Sequence, residues 1–397
     1  MPFALLPILL LSAAGFTVLT TEFLIVGLLP AMALDLRVTI PQAGLLVTLF
    51  AFTVAAAGPP LTAWLSGVER KRLFVGVLVV IGFANALAAV APNIGVMAIA
   101  RFIPALILPV FWALASDTAV QLTGPARAGK AISMIAFGIV AATVLGIPIG
   151  TLISDAFGWR NAFAALSLVA FAKAMLLLFF LPRIALPAKP SSMRSQLRIL
   201  RDPIIVGHVL LSVLVFTGMF TAYTYLADIL GRLAGIPSAH VGWWLMGFGA
   251  VGLLGNSLGG RVVDRSPLGA TLFFSVIVAL AMAAILPALS SQWGLAAALG
   301  AWGIAQAALL IVCHVRVMKS APEAQAFAAS LNISGANVGI GLGALIGGRV
   351  IDGWGLASVG GVAAGVVVLA MVAALLLLFA VASGRSRATA GVACARS

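Results

Sequence analysis

The sequence predicts an all-α membrane protein: twelve transmembrane helices in two six-helix bundles, related as parallel repeats. Three observations predict it. Of 397 residues, 63% are hydrophobic and 8% charged, with mean hydropathy +1.20, whereas a soluble domain is about one quarter charged. Apolar runs of spanning length recur from end to end, without the weak alternating pattern of a membrane barrel, which selects helices over strands. Finally, Leu145-Gly146-Ile147-Pro148-Ile149-Gly150, followed by Asp155, falls on Leu342-Gly343-Ala344-Leu345-Ile346-Gly347, followed by Asp352, at an offset of 197 residues. The same offset carries Gly58 and Leu61 onto Gly255 and Leu258. Parallel six-span repeats imply two bundles that rock about a site near the bilayer midplane.

In chain order the spans fall at about 6–33, 42–66, 72–91, 96–121, 130–154, 161–182, 204–230, 239–262, 269–290, 294–317, 326–351 and 357–383. The first is almost wholly apolar from Phe3 to Ala33. It ends on a cleavage-like Ala31-Met32-Ala33, but it lacks a basic leader, exceeds signal length and contains Glu22, so it reads as a retained span. Glycine and proline punctuate many of the others, as membrane helices tolerate. The domains expected are a bundle over 1–182, a linker over 183–203, a second bundle over 204–384 and a tail over 385–397. The linker, with Pro187-Ala188-Lys189-Pro190-Ser191-Ser192, is the only long polar connection and reads as a solvated segment.

The net charge of +13 does not mark a nucleic-acid binder, because the bases sit in short loops rather than on a soluble module. One set of loops and the tail carry 17 of the 23 basic residues: Arg70, Lys71 and Arg72; Arg127 and Lys130; Arg183, Lys189, Arg194, Arg198 and Arg201; Arg261 and Arg265; Arg316 and Lys319; Arg385, Arg387 and Arg396. The other set has Arg37, Arg160, Arg232 and Arg349 near span ends, with Arg101 just inside span 4 and Lys173 within span 6. The positive-inside rule then places both termini in the cytoplasm. Cys313 and Cys394 both fall near that side and suggest neither a disulfide nor a metal site.

Glu22 is the only acid in the central third of a span; Asp117, Asp155, Asp228, Asp264 and Asp352 fall near span ends. A charged side chain at that depth costs roughly 2.5–3.5 kcal/mol on insertion scales. A protonated acid, or one facing a polar cavity, is cheaper. A group neutral in one environment and ionised in another carries a proton across.

Several stretches occur in one order: Thr20-Thr21-Glu22-Phe23 with Val26-Gly27-Leu28-Leu29; Val68-Glu69-Arg70 before Lys71; Phe111-Trp112; Val144-Leu145-Gly146-Ile147-Pro148-Ile149-Gly150; Phe157-Gly158-Trp159-Arg160; Thr221-Ala222-Tyr223-Thr224-Tyr225; and Asn337-Val338-Gly339-Ile340-Gly341. On these the chain resembles, over nearly its whole length, the major facilitator superfamily. Within it the resemblance is to the twelve-span drug:proton antiporters, and most to their sugar (arabinose-type) efflux branch. Departures are visible. Thr62 stands where the family's loop after span 2 has Asp, while Gly260-x-x-x-Asp264-Arg265 keeps the pattern in the second half. Ile147 separates Gly146 from Pro148, Pro104-Ala105 replaces a glycine after Arg101, and Leu108 and Pro109 stand where some relatives carry His.

The proton-coupling candidates are Glu22 and Arg101; the arginine either pairs with Glu22 and holds it ionised or reaches the outer interface. Lys173 is expected to reach the interface as well, and His208 and His314 to be interfacial. Substrate candidates are Trp112, Tyr223, Tyr225, Gln306, Asn332 and Asn337, with Asn85 a weaker one; a sugar site needs several such groups and a lipophilic-drug site mostly apolar walls. Gate candidates are Gly58, Gly146, Pro148, Gly150, Gly255, Gly343 and Gly347, with Gly259, as small residues lining a seam between bundles. Arg70, Lys71, Arg72, Asp264 and Arg265 join them as cytoplasmic latches or topology-setting charges.

The chain thus reads as a secondary transporter of the bacterial inner membrane. It exports a small solute, sugar or lipophilic drug, against about one inward proton per cycle. The alternative is a proton-coupled importer or uniporter on the same scaffold. A membrane sensor or intramembrane enzyme would need an appended domain, a zinc-ligand pair or a nucleophile–base arrangement, and none is present in the sequence. No cofactor is implied. The partners expected are substrate, protons and the lipid bilayer, with no nucleic acid, and the chain is expected to be monomeric.

Overall fold

The computed structural model describes residues 5–65, 67–123, 134–135, 137–138, 140–184, 201–322 and 325–394. Among these there is no strand. The membrane helices are α1 Leu5–Asp35, α2 Ile40–Leu65, α3 Arg70–Ala89, α4 Ile94–Thr123, α5 Ile147–Phe157, α6 Trp159–Phe180, α7 Pro203–Tyr223, α8 Ser238–Val262, α9 Pro267–Ala288, α10 Gln292–Ser320, α11 Gln325–Trp354 and α12 Val359–Cys394. Eleven described stretches are long and apolar enough to cross a bilayer, and Ala142–Phe157 is a shorter apolar helix. The twelve spans expected from hydropathy are therefore met, the fifth in its described part. Most of the 183–203 linker, with Arg127, Lys130, Lys189, Arg194, Arg198 and Arg396, lies outside the described residues.

Local chemistry explains several boundaries. Glu69 caps α3, accepting from the backbone N–H of Lys71 at 2.9 Å and of Arg72 at 3.1 Å. Ser266 and Ser291 cap α9 and α10 in the same way. In span 5, Pro148 has no N–H, and its ring crowds the carbonyl of Val144, one turn earlier. The chain answers with a wider π-turn over Ala142–Gly146 before α5 begins. A second π-turn, Ile229–Leu233, follows the short turn Leu226–Asp228 at the end of α7.

The 197-residue offset reappears in the backbone. Gly158 (φ 88°) between α5 and α6, and Gly355 (φ 84°) between α11 and the turn before α12, stand at the same repeat position. Both take the left-handed conformation that disfavours a side chain.

By packing the chain divides into two compact units. One comprises Met1–Pro190, Thr221–Ala250 and Ile340–Val359; the other comprises Ser191–Phe220, Val251–Gly339 and Gly360–Ser397. The first unit's core gathers Phe50, Phe74, Ile81, Phe111 and Leu177 around α3 and α4, with Phe74 edge-on to Phe111 at 5.5 Å. Helices α3 and α6 pack closely at Gly82, whose carbonyl accepts from Ser167 at 2.8 Å and whose absent side chain leaves room for the Phe171 ring. In the second unit α8 lies close against α10, so that a Cβ at Gly255 or Gly259 would run into the backbone of Ile304 or Ala308. Its small apolar cluster is Ile205, Val317, Ala321 and Ala328.

Candidate functional site

Helix α1 is the scaffold of the site. Along one side it repeats Ala13, Thr17 and Thr21 at four-residue spacing, which stacks them on one face. Each hydroxyl bonds back to the preceding turn: Thr17 to Ala13 O at 3.4 Å and Thr21 to Thr17 O at 2.9 Å. Three other helices reach this side. From α3, Asn85 Nδ2 donates to Thr21 Oγ1 at 3.1 Å and to Ile81 O at 2.9 Å. From α4, Arg101 donates through Nη1 to Thr21 O, and through Nη2 to Glu22 O at 2.6 Å. From α6, Lys173 Nζ donates to Ala13 O at 2.6 Å and to Thr17 Oγ1 at 2.7 Å.

Glu22 sits beside this network, 9% exposed. Among the described residues its carboxyl group makes no hydrogen bond and no ion pair. Arg101 is 1% exposed with its guanidinium 4.3 Å from the Phe50 ring centroid, and its terminal nitrogens are taken by the α1 backbone rather than by the Glu22 carboxyl oxygens. Arg101 is buried rather than extended to the interface, and among the described residues its guanidinium makes no salt bridge with the Glu22 carboxyl group. It supplies positive charge near Glu22 while leaving the carboxyl group free.

The substrate candidates are distributed over both units. In the first, Trp112 packs over Gly15 of α1 and edge-on to Phe111 at 5.3 Å. Tyr223 stacks on Phe248 at 5.6 Å. Tyr225 is 1% exposed, and its hydroxyl donates to Ala344 O at 2.8 Å. In the second unit, Gln306 accepts from Trp302 Nε1 at 2.8 Å, Asn337 donates to Ile333 O at 3.0 Å, and Asn332 lies 3.4 Å from His314 Nδ1. The side-chain oxygens of Asn332 and Asn337 are buried without a partner among the described residues.

Gly58, Gly146, Gly150, Gly255 and Gly347 have their nearest neighbours inside their own halves of the sequence. The nearest neighbour of Gly58 is Pro109 on α4; of Gly146 and Gly150, Thr20 and Leu24 on α1; of Gly255, Ile304; of Gly347, Thr221 and Tyr225. Gly343 is buried and Pro148 opens α5. Close approaches between first-half and second-half helices within the first unit occur at other glycines. Gly44 meets Tyr225, Gly348 meets Pro41, Gly341 meets Phe52, Gly242 meets Leu152 and Gly249 meets Thr143. Thr48 also donates to Gly341 O at 3.1 Å.

Among the charged candidates, Asp264 pairs with Lys319 at 2.7 Å on an exposed turn that also holds Arg265. Lys71 and Arg72 lie in the first turn of α3, and Arg70 is turned inward at 1% exposed. Three expectations change. Lys173 points into the bundle, His208 is buried, and Arg316, counted with the loop charges, is buried and donates to Thr271 Oγ1, His208 O and Ser212 Oγ at 2.8–3.0 Å. The sequence reading missed Lys173, Thr17 and Thr21 as site residues; the Ala13-Thr17-Thr21 spacing was the available signal. No group of three metal-ligating side chains occurs among the described residues.

The sequence model of the Major Facilitator Superfamily matches residues 11–292 and 209–393. Several solved structures share the fold. A bacterial homologue of the human lysosomal transporter Spinster, inward-facing and occupied, is 16% identical with TM-score 0.79, over 95% of this chain and 97% of that one. A D-xylose–proton symporter is 16% identical with TM-score 0.76, over 94% and 97%. A point mutant of the nucleoside transporter NupG is 16% identical with TM-score 0.75, over 94% and 99%.

Proposed function

The chain belongs to the Major Facilitator Superfamily and is thus a multi-pass membrane transporter of small solutes, and on that premise we propose that it exports a sugar or lipophilic drug from the bacterial cytoplasm by proton antiport. One observation carries the reading: the Glu22 carboxyl group is buried with no hydrogen bond or ion pair of its own among the described residues, while Arg101 is anchored to the helix backbone beside it. A carboxyl group so placed exchanges its proton without first breaking a bond to the protein. It takes a proton from the periplasmic side, the two sequence halves move against one another, and the proton leaves to the cytoplasm as solute moves out. Both termini are cytoplasmic, and the chain works as a monomer in the inner membrane.

Trp112 and Tyr223 are the first unit's solute contacts in this reading, and Gln306, Asn332 and Asn337 are the second unit's. Tyr225 is left out of the set, because its hydroxyl is already committed to Ala344. The contacts of α2 with Tyr225, just past α7, and with Gly341 in α11 act in this reading as the periplasmic closure.

The test is transport by purified protein in proteoliposomes under an imposed pH gradient, with a panel of labelled sugars and amphenicol-type drugs. Gradient-driven flux is expected for the wild type and its loss, by at least tenfold, for Glu22→Gln. Undiminished gradient-driven flux in Glu22→Gln removes the carboxyl group from the mechanism. Flux with the proton rather than against it establishes the importer instead.

A further inference from the structure

Lys173 has no part in the mechanism above. It lies on α6, seven residues short of the helix end, with a chain long enough to reach for water. It does not. Its ammonium group turns inward, donates to Ala13 O at 2.6 Å and Thr17 Oγ1 at 2.7 Å, and lies 4.8 Å from the Phe16 ring centroid. Two oxygens and a ring face replace water incompletely around an ammonium ion, so this half-buried charge calls for an anion to offset it. Among the described residues no carboxylate pairs with Lys173.

The charges on the elements packed against α1 narrow the choice. Helix α2 carries none; α3 has Arg70, Lys71 and Arg72 in its first turn; α4 has Arg101 and, at its far end, Asp117. Helix α5 has Asp155 in its last turn, α6 has Arg160 in its first turn besides Lys173, and Asp228 after α7 is bonded to Arg232. On α1 itself Asp35 is at the end and pairs with Arg160. The one interior acid is Glu22, five residues beyond Thr17 and so about 7.5 Å further along the same helix.

We infer that Lys173 is a positioning residue for the Glu22 proton site: with Arg101 it grips the backbone and hydroxyls of α1 at two levels, and it supplies the second positive charge under which Glu22 ionises. This rests on the proposed role of Glu22. The Ala13-Thr17-Thr21 face is the link. Lys173 holds its first two members, Asn85 and Arg101 its third, and Glu22 follows directly on Thr21. Five residues also turn Glu22 about 140° around α1 from Thr17; at an effective dielectric near 20, one charge even about 13 Å away moves a titration by roughly one pH unit.

The full-length protein in lipid, titrated by infrared spectroscopy, tests this. The Glu22 carboxyl band is assigned by its loss in Glu22→Gln. Its pH midpoint is then read in Lys173→Met, Lys173→Gln and Lys173→Arg. Gln keeps a donor for Thr17 without the charge, and Arg keeps the charge. The expected result is a midpoint raised by about half to one pH unit in both uncharged variants and restored to within about 0.2 unit in Lys173→Arg. An unmoved midpoint in Lys173→Gln, with the protein folded, overturns the inference and leaves Glu22 as the proton site. Absence of any Glu22-dependent titrating band in the wild type overturns the proposed function itself. If neither uncharged variant folds, Lys173 is a packing residue and the inference also falls.

Discussion

Arg101 reaches two successive carbonyls of α1 with the two ends of one planar fork, which a lysine at that position could not do. Thr21 O and Glu22 O also lie within a helix whose own N–H groups can serve them, so removing the guanidinium does not strand them. Arg101→Met is therefore expected to fold, at a cost of about 2–3 kcal/mol for the lost charge-assisted bonds. Gradient-driven transport should nevertheless fall at least tenfold, because Glu22 loses its nearest positive charge. Melting temperature and proteoliposome flux, read together, check it; a folded Arg101→Met with intact coupling would show the arginine to be scaffold only. The sequence made Glu22 legible, since an acid in an unbroken apolar run is costly and stands out. It did not reveal what Arg101 touches. Opposite charges suggest a pair, but the oxygens within reach of the fork were the backbone's. Lys173 was hidden for a related reason. A long side chain near a span end can turn either way, and only the Ala13 carbonyl and Thr17 hydroxyl on a different helix decide which.

Between elements, the contacts that matter are those where glycine lets a neighbour come close. At Gly44 on α2 the Tyr225 hydroxyl and ring occupy the place a side chain would take. Gly44→Ala is expected to destabilise by about 1–3 kcal/mol, the usual range for an overpacked contact. Tyr225→Phe alone should cost about 0.5–1.5 kcal/mol for its bond to Ala344. Combined, the two should cost less than their sum, because the phenylalanine removes the atom that the alanine methyl meets. Gly76→Ala, which meets nothing within 4 Å, is the neutral control. Denaturation midpoints of the four variants decide it, and strict additivity of Gly44→Ala and Tyr225→Phe would deny the contact. The 197-residue repeat located Gly146, Gly150, Gly255 and Gly347 because packing within each half is duplicated. It could not locate Gly44 or Gly341, whose partners belong to the other half of the sequence and carry no internal echo. The π-turn at Ala142–Gly146 was legible only in part: Pro148 requires a local break, but whether the helix kinks or widens is settled by what packs around it.

For the whole molecule, the bilayer makes the fold legible. Every backbone group must be satisfied within the chain, so long apolar runs leave only helices, and two like sets of six leave few arrangements. The lipid-facing surface follows from the same rule. Phe179, Phe180, Leu376 and Phe379 are exposed along α6 and α12, and Trp64, Trp293 and Trp354 stand exposed near helix ends, where an amphipathic ring sits at the headgroup level. Orientation rests on a separate argument, the crowding of bases into alternate loops, and in the proposed mechanism it sets which way a proton enters. It can be checked with two single cysteines, introduced after Cys394→Ser; Cys313 is buried and can stay. Gly67, exposed between α2 and α3, belongs to the basic set of loops, and Ser290, exposed between α9 and α10, belongs to the other. A membrane-impermeant maleimide should label Ser290→Cys in intact cells and Gly67→Cys only after the membrane is opened. The opposite pattern would place the closure formed by Thr48, Tyr225 and Gly341 on the cytoplasmic side. Glu22 would then load its proton from the wrong compartment for export.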